Sequence, residues 1–531
     1  MRQSSVAMPL PLLCLLLAPQ DPPVQATPPR QALLFKSGQA YLERAVPIPP
    51  GTESMRLRLP EGIHGTTWLG APAGRLVGAR ALLASDLVER EVTDLAGALR
   101  MAVGKSVVLE VAAGQQTASV GGRVERILEA PFIVPAGGSP ELLSPSAVVI
   151  DGGQVIPVNR IVGLRFAPGA GELGWKFQAA VQRPVLDVTV GAHPEPWDLS
   201  LSSMANGLAW APSYVLELGA GGRARLVGKA VIVNDLEDLV DTELRLVIGY
   251  PNIQFANVRD PLLPEVTLGQ FRAMLGQPEM DQQLGVMLQN VAPARAAFGE
   301  SVSGPAQPLA GEASEDLFIY ELGKLSLRRG ERAYLPLLEQ EVDFQHRFDW
   351  ELPDKVDRWA NFMETPGTEE PPVWHVLRVR NSGAAPWTTA PVLILGELGP
   401  LAQSRLDYTP PGAETKVTIT QALDLVGQSL EMRADGDRSP REAVILFGGS
   451  FERVRVKGSL ELVNRSSRSA PMHVIKHLSG DLVSTPEGAS VEGKALGLGQ
   501  INASRTLRWD FELPPGQTWK AQYEYEVLIR R

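Results

Sequence analysis

Two histidines have the type and spacing that first suggest metal chemistry. His473 and His477 are four residues apart, the spacing at which two histidines on one helix face bind a metal ion. The surrounding segment, residues 472–478, contains β-branched residues and follows a strand-like run, so we expect an extended backbone. On a strand, positions four apart lie about 13 Å from each other. The pattern therefore favours two separate side chains over a metal site. The other histidines are scattered along the chain: His64, His193, His346 and His375.

Two acid-rich segments have residue types that can hold a cation. Asp435, Gly436 and Asp437, with Glu442 downstream, partly resemble a calcium loop, but the full series of ligands is missing and Asp-Gly is a common hairpin tip. We predict a turn there. In the second segment we favour a solvated edge loop over a cation site. Its members are Glu237, Asp238, Asp241 and Glu243.

The motifs of common catalytic sites are absent from the sequence. It contains no Gly-x-Ser-x-Gly elbow, phosphate-binding loop, dinucleotide fingerprint or His-Glu-x-x-His. The single cysteine, Cys14, lies in a segment that we expect to be removed. A mature chain without thiols has no disulfide, thiolate metal site or cysteine nucleophile. We therefore expect no catalytic residue, no cofactor and no metal.

Several tryptophans lie near proline or glycine, as loop aromatics that stack on sugar rings often do. The same residues also fill the ends of β-sandwiches, and we favour burial over sugar binding. They are Trp68, Trp197, Trp210, Trp359 and Trp387. Trp509 lies on a strictly alternating run and is predicted to be a core residue.

Composition and charge limit the class of protein. The chain has 531 residues, which is long enough for about three or four domains. Its net charge is −10 and it has no basic block, so we expect no nucleic-acid partner. Its 51 glycines and 44 prolines favour short strands joined by tight turns.

The first residues have the pattern of an export signal. Arg2 precedes an apolar run, residues 6–18, that is short for a membrane span, and Val24-Gln25-Ala26 is typical of a cleavage site. We expect residues 1–26 to be a signal peptide and the mature chain to be periplasmic or extracellular. An uncleaved anchor is the alternative. No later segment is apolar enough to span a membrane.

Strand patterns dominate the rest of the chain. Residues 507–513 alternate strictly, and Tyr523, Tyr525 and Val527 alternate after a Pro-Pro-Gly turn, which predicts a terminal hairpin. Residues 328–331 are predicted to be another hairpin tip. A strand-like run ends in asparagine at three places, which favours separate sandwich-like modules with the same turn chemistry over a shared polar site. These residues are Asn234, Asn381 and Asn464.

We predict an all-β fold of several immunoglobulin-like β-sandwich modules. Five short runs between residues 95 and 166, with glycine at the bends and a short helical lead-in, predict a small SH3/Sm-like barrel. Residues 266–275 and 279–291 have helical spacing inside a flexible insertion. The expected segments are a signal peptide at 1–26, an N-terminal β domain at 27–94, the barrel at 95–167, a central sandwich region at 168–445 with the insertion at 256–317, and a C-terminal sandwich at 446–531.

One set of structural motifs resembles a known family. A Trp-x-Pro-x-Tyr element, a strand ending in asparagine and a strand leading to Gly-x-Pro resemble the core signature of domain of unknown function 4139, the mucoidy-inhibitor A type. The resemblance covers roughly residues 180–531 and implies an exported all-β bacterial protein without assigned catalytic residues. Common members often carry coiled-coil helices in the N-terminal third, and this chain departs from that pattern. The matching residues are Trp210, Pro212, Tyr214, Asn234, Gly249 and Pro251.

These observations favour a non-enzymatic cell-envelope protein that binds or scaffolds other envelope components. The expected partner is an envelope protein or a polysaccharide, with no nucleic acid and no transmembrane span in the mature chain. A glycan-binding module that uses loop tryptophans is one alternative. A hydrolase with dispersed acidic residues is another.

Overall fold

The computed structural model describes most of the chain after residue 23. The described residues are 24–114, 116–130, 144–168, 174–249, 251–275, 311–314, 317–357, 359–361, 371–434, 443–494, 496–497 and 499–531. They are mostly β-strand in several sheets, which confirms the all-β prediction. Residues 1–23 of the expected signal peptide, the predicted helix at 279–291 and the Asp435-Gly436-Asp437 turn lie outside the described residues. Residues 24–26 of the expected signal peptide are described, and Gln25 forms an isolated bridge with Leu57.

The strands of the N-terminal half and the first helix precede residue 250. They are β1 (Gln31–Leu34), β2 (Gln39–Ile48), β3 (Ser54–Arg58), β4 (Trp68–Gly70), β5 (Leu76–Glu91), α1 (Leu95–Met101), β6 (Ser106–Ala113), β7 (Gln116–Ala130), β8 (Ser144–Ile150), β9 (Gln154–Pro157), β10 (Ile161–Phe166), β11 (Lys176–Val190), β12 (Trp197–Asn206), β13 (Leu208–Leu218), β14 (Arg223–Asn234) and β15 (Leu239–Ile248).

The described residues of the second half contain one short helix and the remaining strands. They are α2 (Leu268–Leu275), β16 (Gly311–Ser314), β17 (Leu317–Leu327), β18 (Arg332–Leu352), β19 (Trp374–Arg380), β20 (Ala390–Gly396), β21 (Gly399–Leu406), β22 (Glu414–Gln421), β23 (Leu425–Arg433), β24 (Val444–Leu446), β25 (Gly449–Asn464), β26 (Ala470–Ser479), β27 (Asp481–Leu482), β28 (Ser490–Gly493), β29 (Ser504–Leu513) and β30 (Thr518–Arg530).

The strands form two large sheets and three smaller ones. A seven-stranded sheet has the order β16-β17-β15-β1-β2-β12-β4. A ten-stranded sheet follows β21-β20-β13-β14-β18-β26-β29-β28, and β19 and β22 branch from β18. β23, β25 and β30 lie in a five-stranded sheet with β24 and β27, and β3-β11-β5 form a three-stranded sheet. The last sheet, β10-β6-β7-β8-β9, belongs to the small domain.

Four hydrophobic cores follow one another, and neighbouring cores share strands. β2 buries Val46 in the first core and Leu42 in the second. Trp210 and Tyr214 lie on the same face of β13, because alternate residues of a strand point to the same face. Trp210 is buried in the second core and Tyr214 in the third, so β13 passes from one core to the next. Continuous strands, rather than linkers, therefore join adjacent cores.

The longest strand joins the third core to the fourth. β18 buries Phe344 in the third core, next to β19, and Trp350 in the fourth core, next to β26. The fourth core lies between the end of the ten-stranded sheet and the sheet of β23, β25 and β30. The C-terminal sandwich therefore begins before residue 446, since β18 and β23 are part of it.

A two-stranded arm carries the small domain. β5 and β11 pair antiparallel from Leu76 opposite Val190 to Glu91 opposite Lys176, and residues 93–174 form an insertion between them. The helix α1 begins at the predicted place, where Asp94 caps it by accepting a hydrogen bond from the Gly97 amide (2.7 Å). The predicted five strands are present. No ladder among the described residues joins the outer strands β9 and β10, so the hydrogen-bonded sheet stays open rather than closing into a barrel.

The expected N-terminal domain at 27–94 is not a separate sheet. β1 pairs with β15, and β2 pairs with β12, so these residues share their sheet with strands from beyond the small domain. The short strands after residue 27 cannot form a hydrophobic core by themselves. Strands from distant parts of the sequence complete their sheet. The small domain is accordingly an insertion in this body.

Two predicted hairpins are wrong for the same reason. β29 pairs with β26 and β28, whereas β30 pairs with β25 and β27, so the Pro-Pro-Gly turn joins two different sheets. Residues 328–331 likewise connect β17 of the seven-stranded sheet to β18 of the ten-stranded sheet. Alternation along a strand gives its buried face but does not identify its neighbour.

Candidate functional site: two faces of the C-terminal sheet

The family-signature residues lie where two cores meet. Trp210 and Tyr214 are buried in successive cores, and Pro212 lies buried between them on the same face of β13. The Trp210 indole donates to the Val247 carbonyl at 3.3 Å. The Tyr214 hydroxyl accepts from the Thr388 amide at 3.1 Å, and burial raises the pKa of Tyr214 above its usual range. These residues join the second and third cores.

The end of β15 and the loop after Ala385 complete this junction. Gly249 has φ of 127°, a value that favours glycine, and Pro251 lies after the end of β15, outside any strand or helix. Tyr320 of the second core donates to the Pro386 carbonyl at 2.8 Å. Lys36 donates to the Thr389 carbonyl at 2.8 Å, and burial lowers the pKa of this lysine to about 8. The polar groups here hold a loop in place.

Asn234 forms a buried corner between two sheets. Its side-chain amide donates to the carbonyls of Glu237 (2.7 Å) and Leu327 (2.9 Å). Its main chain exchanges hydrogen bonds with the amide of Gly330 (2.6 Å) and the carbonyl of Glu331 (3.3 Å). We call this arrangement an asparagine corner.

The same corner recurs at Asn381 in the third core. Its side-chain amide donates to the carbonyls of Ala385 (3.0 Å) and Thr409 (2.9 Å). Its main chain bonds the amide of Gly412 (2.7 Å) and the carbonyl of Ala413 (2.9 Å).

Asn464 forms a third corner in the C-terminal sandwich. Its amide donates to the carbonyls of Arg468 (2.8 Å) and Leu513 (2.9 Å), and its main chain bonds Gly516 (2.8 Å) and Gln517 (3.0 Å). All three asparagines have 0% exposure, and each side chain also accepts from the amide two residues on, as predicted for a strand-end asparagine. Each corner is bonded through its own side-chain amide. The three asparagines therefore stabilise three separate turns and do not form one polar site.

The predicted acidic cluster does not converge on a common point. Glu237 pairs with the buried guanidinium of Arg44, so it is not a solvated residue. Asp241 pairs with Lys324 at 2.8 Å, and Glu243 pairs with Arg245 at 2.8 Å. Within the described residues, no group of three or more histidine, cysteine or acidic side chains is placed to hold a metal ion.

The tryptophans divide into buried and exposed residues. Trp210 and Trp387 are buried, and Trp197 is half-buried. Trp68 and Trp359 are 68% and 57% exposed, so the expectation of burial is wrong for these two. Trp509 is buried in the fourth core, as predicted.

His473 and His477 lie on one outward face of β26, as the strand prediction requires, and each pairs with a different carboxylate. His473 Nδ1 is 2.6 Å from Asp510 Oδ1 on β29. His477 Nε2 is 3.2 Å from Glu351 Oε1 on β18, and its Nδ1 is 3.2 Å from Thr506 Oγ1. The two histidines therefore serve separate contacts.

His473 belongs to a register row that crosses five neighbouring strands. Gln421 on β22 lies opposite Trp374 on β19, which lies opposite Asp349 on β18. Asp349 is in register with His473 on β26, and His473 with Asp510 on β29. We call these residues the outer row. With strands about 4.8 Å apart, the outer row extends over about 19 Å.

Two cations fix the centre of the outer row. Arg347 donates to both oxygens of Asp349 (2.6 and 3.1 Å), and Lys416 Nζ lies 3.2 Å from Oδ2. Only 9% of the Asp349 side chain is exposed. A bidentate guanidinium contact is short and directional, so this carboxylate is held in one geometry.

The opposite face of β26 carries a buried polar cluster. Lys476 Nζ lies 3.3 Å from Glu431 Oε1 and donates to the Pro353 carbonyl at 3.0 Å. The hydroxyls of Tyr523 and Tyr525 donate to the same Glu431 oxygen at 2.8 and 3.3 Å. Lys476, Glu431, Tyr523 and Tyr525 are called the inner cluster below.

Burial dominates the electrostatics of the inner cluster. It lowers the pKa of Lys476, although the Glu431 carboxylate offsets part of this effect. Burial and the Glu431 charge raise the pKa of Tyr523 and of Tyr525 above their usual range. Glu431 Oε2 accepts no hydrogen bond from the described residues and lies 4.0 Å from Lys355 Nζ. The cluster therefore holds a lysine–glutamate pair in the sandwich interior.

A histidine pair lies where β18 passes from the third core to the fourth. His346 Nδ1 and His375 Nε2 are 2.9 Å apart, and Phe348 stacks on His375 with ring centroids 4.7 Å apart. Burial and the neighbouring imidazole lower the pKa of His375 to about 4. Burial and Arg468 lower the pKa of His346. The sequence did not signal this pair, because the two residues meet only through strand pairing.

Two sequence comparisons find no match. A scan against protein-family models matches no family, and a search of curated proteins finds no similar sequence. The resemblance to domain of unknown function 4139 therefore stays a prediction. None of the helices in the described residues has both the length and the apolar character needed to cross a membrane.

Proposed function

We propose that this chain is an exported, non-enzymatic cell-envelope protein that binds or scaffolds other envelope components through its β-sandwich surfaces. The observation that supports this most is the sharing of long strands between cores. A body built in this way resists bending between cores, because a bend would break ladder hydrogen bonds. Such a body suits a support that holds binding surfaces at fixed positions.

The arm of β5 and β11 supports the same role. Two strands alone are marginally stable in water, and here Phe177 of the arm packs with Met101 of α1 at the base of the small domain. The small domain is thereby presented at the end of the arm, at the opposite end of its strands from the first core.

The arm can be tested by removing the small domain. The Val92 amide donates to the Trp175 carbonyl at 2.8 Å, so residues 93–174 can be replaced by an Asn-Gly turn between adjacent strands. We expect the shortened chain to fold and to lose envelope-protein partners that the full chain cross-links. Full retention of every partner would remove the arm from the proposal. A full chain that cross-links to no envelope component would contradict the scaffolding role itself.

Export and the absence of catalysis are tested separately. The full chain, expressed with its own first residues, should be recovered from the periplasm or the medium with an N-terminus near Thr27. The purified protein should leave a panel of chromogenic glycoside, ester and peptide substrates unchanged. Turnover of any of these substrates by the purified protein would contradict the non-enzymatic assignment.

A second candidate function is glycan binding through loop tryptophans. The exposure of Trp68 and Trp359 favours it, because exposed indole rings can stack on sugars. If these residues bind, Trp68→Ala and Trp359→Ala should weaken binding to a polysaccharide panel. Unchanged binding in both variants would exclude these two residues as the site.

A further inference from the structure

We propose that the outer row binds a neutral oligosaccharide across the strands, with one sugar ring stacked on Trp374. This inference rests on the proposed binding role and names a ligand class and a surface for it. It places the glycan on strands of the ten-stranded sheet and not on the loop tryptophans.

The first argument is the aromatic residue at one side of the row. Trp374 is 43% exposed although it is the first residue of a strand inside the ten-stranded sheet. Sugar rings present apolar C–H faces, and a large indole surface with a polar edge is suited to stack on them. An exposed tryptophan beside ordered polar groups therefore provides a surface on which a sugar ring can stack.

The second argument is the planar polar side chains beside it. Gln421 and Asp510 present an exposed amide and an exposed carboxylate, which bond to hydroxyls as donors or acceptors, and the mostly buried Asp349 and His473 lie between them. Arg347 already holds Asp349 in place, and Asp510 orients the His473 ring. Ordering these groups before binding lowers the entropy cost of contacting a ligand.

The third argument is charge, which selects among glycans. The Asp510 and Glu351 side chains are 70% and 60% exposed at one side of the outer row, whereas Asp349 is more than balanced by Arg347 and Lys416. The whole chain has a net charge of −10. The exposed carboxylates at that side would repel a polyuronic acid and would not repel a neutral oligosaccharide.

The test measures binding of the full chain to neutral hexasaccharides of glucose, mannose and xylose by calorimetry, with oligogalacturonate as the acidic probe. The variants are Trp374→Ala and Asp510→Asn. The matched control is Trp175→Ala, which removes an exposed indole outside the outer row. Thermal unfolding of each variant shows that it is folded.

We expect at least one neutral probe to bind, and Trp374→Ala to weaken that binding roughly tenfold or more. Asp510→Asn should weaken it by a smaller factor, and the control variant Trp175→Ala should bind as the unaltered chain does. No binding by any neutral probe, stronger binding of oligogalacturonate, or loss of binding in a control but not in Trp374→Ala would each overturn the inference. The cross-linking experiment on the small domain does not involve the outer row. Its result therefore tests the broader scaffolding proposal independently of this inference.

Discussion

The two faces of β26 carry similar side chains and use them differently. On the inner face, Lys476 is buried with Glu431 and two tyrosine hydroxyls, so its charge is held inside the C-terminal sandwich. On the outer face, His473 contacts a carboxylate that is itself mostly exposed. The two faces therefore differ in how exposed the carboxylates beside Lys476 and His473 are, and the proposal above assigns support to the inner face and binding to the outer face.

The largest expected effect is the removal of the inner lysine. Lys476→Met leaves Glu431 buried without its cation, so the free energy of unfolding should fall by about 3–5 kcal/mol. Urea denaturation of the full chain measures it. His477→Ala, one residue further along β26 and on the outer face, is the matched control and should cost less than about 1 kcal/mol. Equal costs for the two variants would contradict the distinction between the faces.

The asparagine corners should rank next. Asn464→Ala leaves two carbonyls of a buried corner unbonded, so we expect a loss of about 2–4 kcal/mol in the free energy of unfolding. The exposed Asn206 also donates to a carbonyl, and Asn206→Ala should cost about 1 kcal/mol or less. If Asn464→Ala is as stable as Asn206→Ala, the asparagine corner does not stabilise the fold as proposed.

Acid should lower the free energy of unfolding by an intermediate amount through the His346–His375 pair. The folded pKa of His375, about 4, lies below its usual value, so folding favours the neutral ring. Its stabilising contribution is complete above about pH 6.5 and is lost as the pH falls towards 4. Partial exposure reduces the effect to about 1–2 kcal/mol. His375→Gln should remove that part of the difference between unfolding at pH 7 and pH 4.5. If His375→Gln and the unaltered chain show the same pH dependence of unfolding, His375 does not contribute to the acid sensitivity.

The smallest expected effect on stability is at the edge of the outer row. Asp510→Asn keeps the side-chain shape and removes an exposed charge, so stability should change by less than about 1 kcal/mol. Thermal unfolding of this variant and of the unaltered chain gives the comparison. A larger loss would make Asp510 a structural residue, and its place in a binding surface would then lose support.

The sequence predicts local features well and strand partners poorly. Alternation correctly places Trp509, Tyr523 and Tyr525 in a core, and strand-end asparagines correctly predict local turns. The same alternation cannot say that β29 and β30 belong to different sheets, because a strand's face does not depend on its neighbour.

The polar faces show the same limit. The β-branched residues around His473 correctly predict a strand and two separate histidines. The outer row brings together residues from five strands, and Trp374 and Asp349 are far from His473 in the sequence. Lys476 has no sequence signal for burial, because its partner Glu431 lies on the opposing sheet.

The most direct test of the contrast between the faces compares Trp374→Ala with Tyr523→Phe in the same two assays, hexasaccharide calorimetry and urea unfolding. We predict that Trp374→Ala loses affinity and keeps its stability, whereas Tyr523→Phe loses stability through its missing bond to Glu431 and keeps its affinity. If the two variants change both quantities alike, or exchange these effects, the assignment of binding to the outer face and support to the inner face is contradicted.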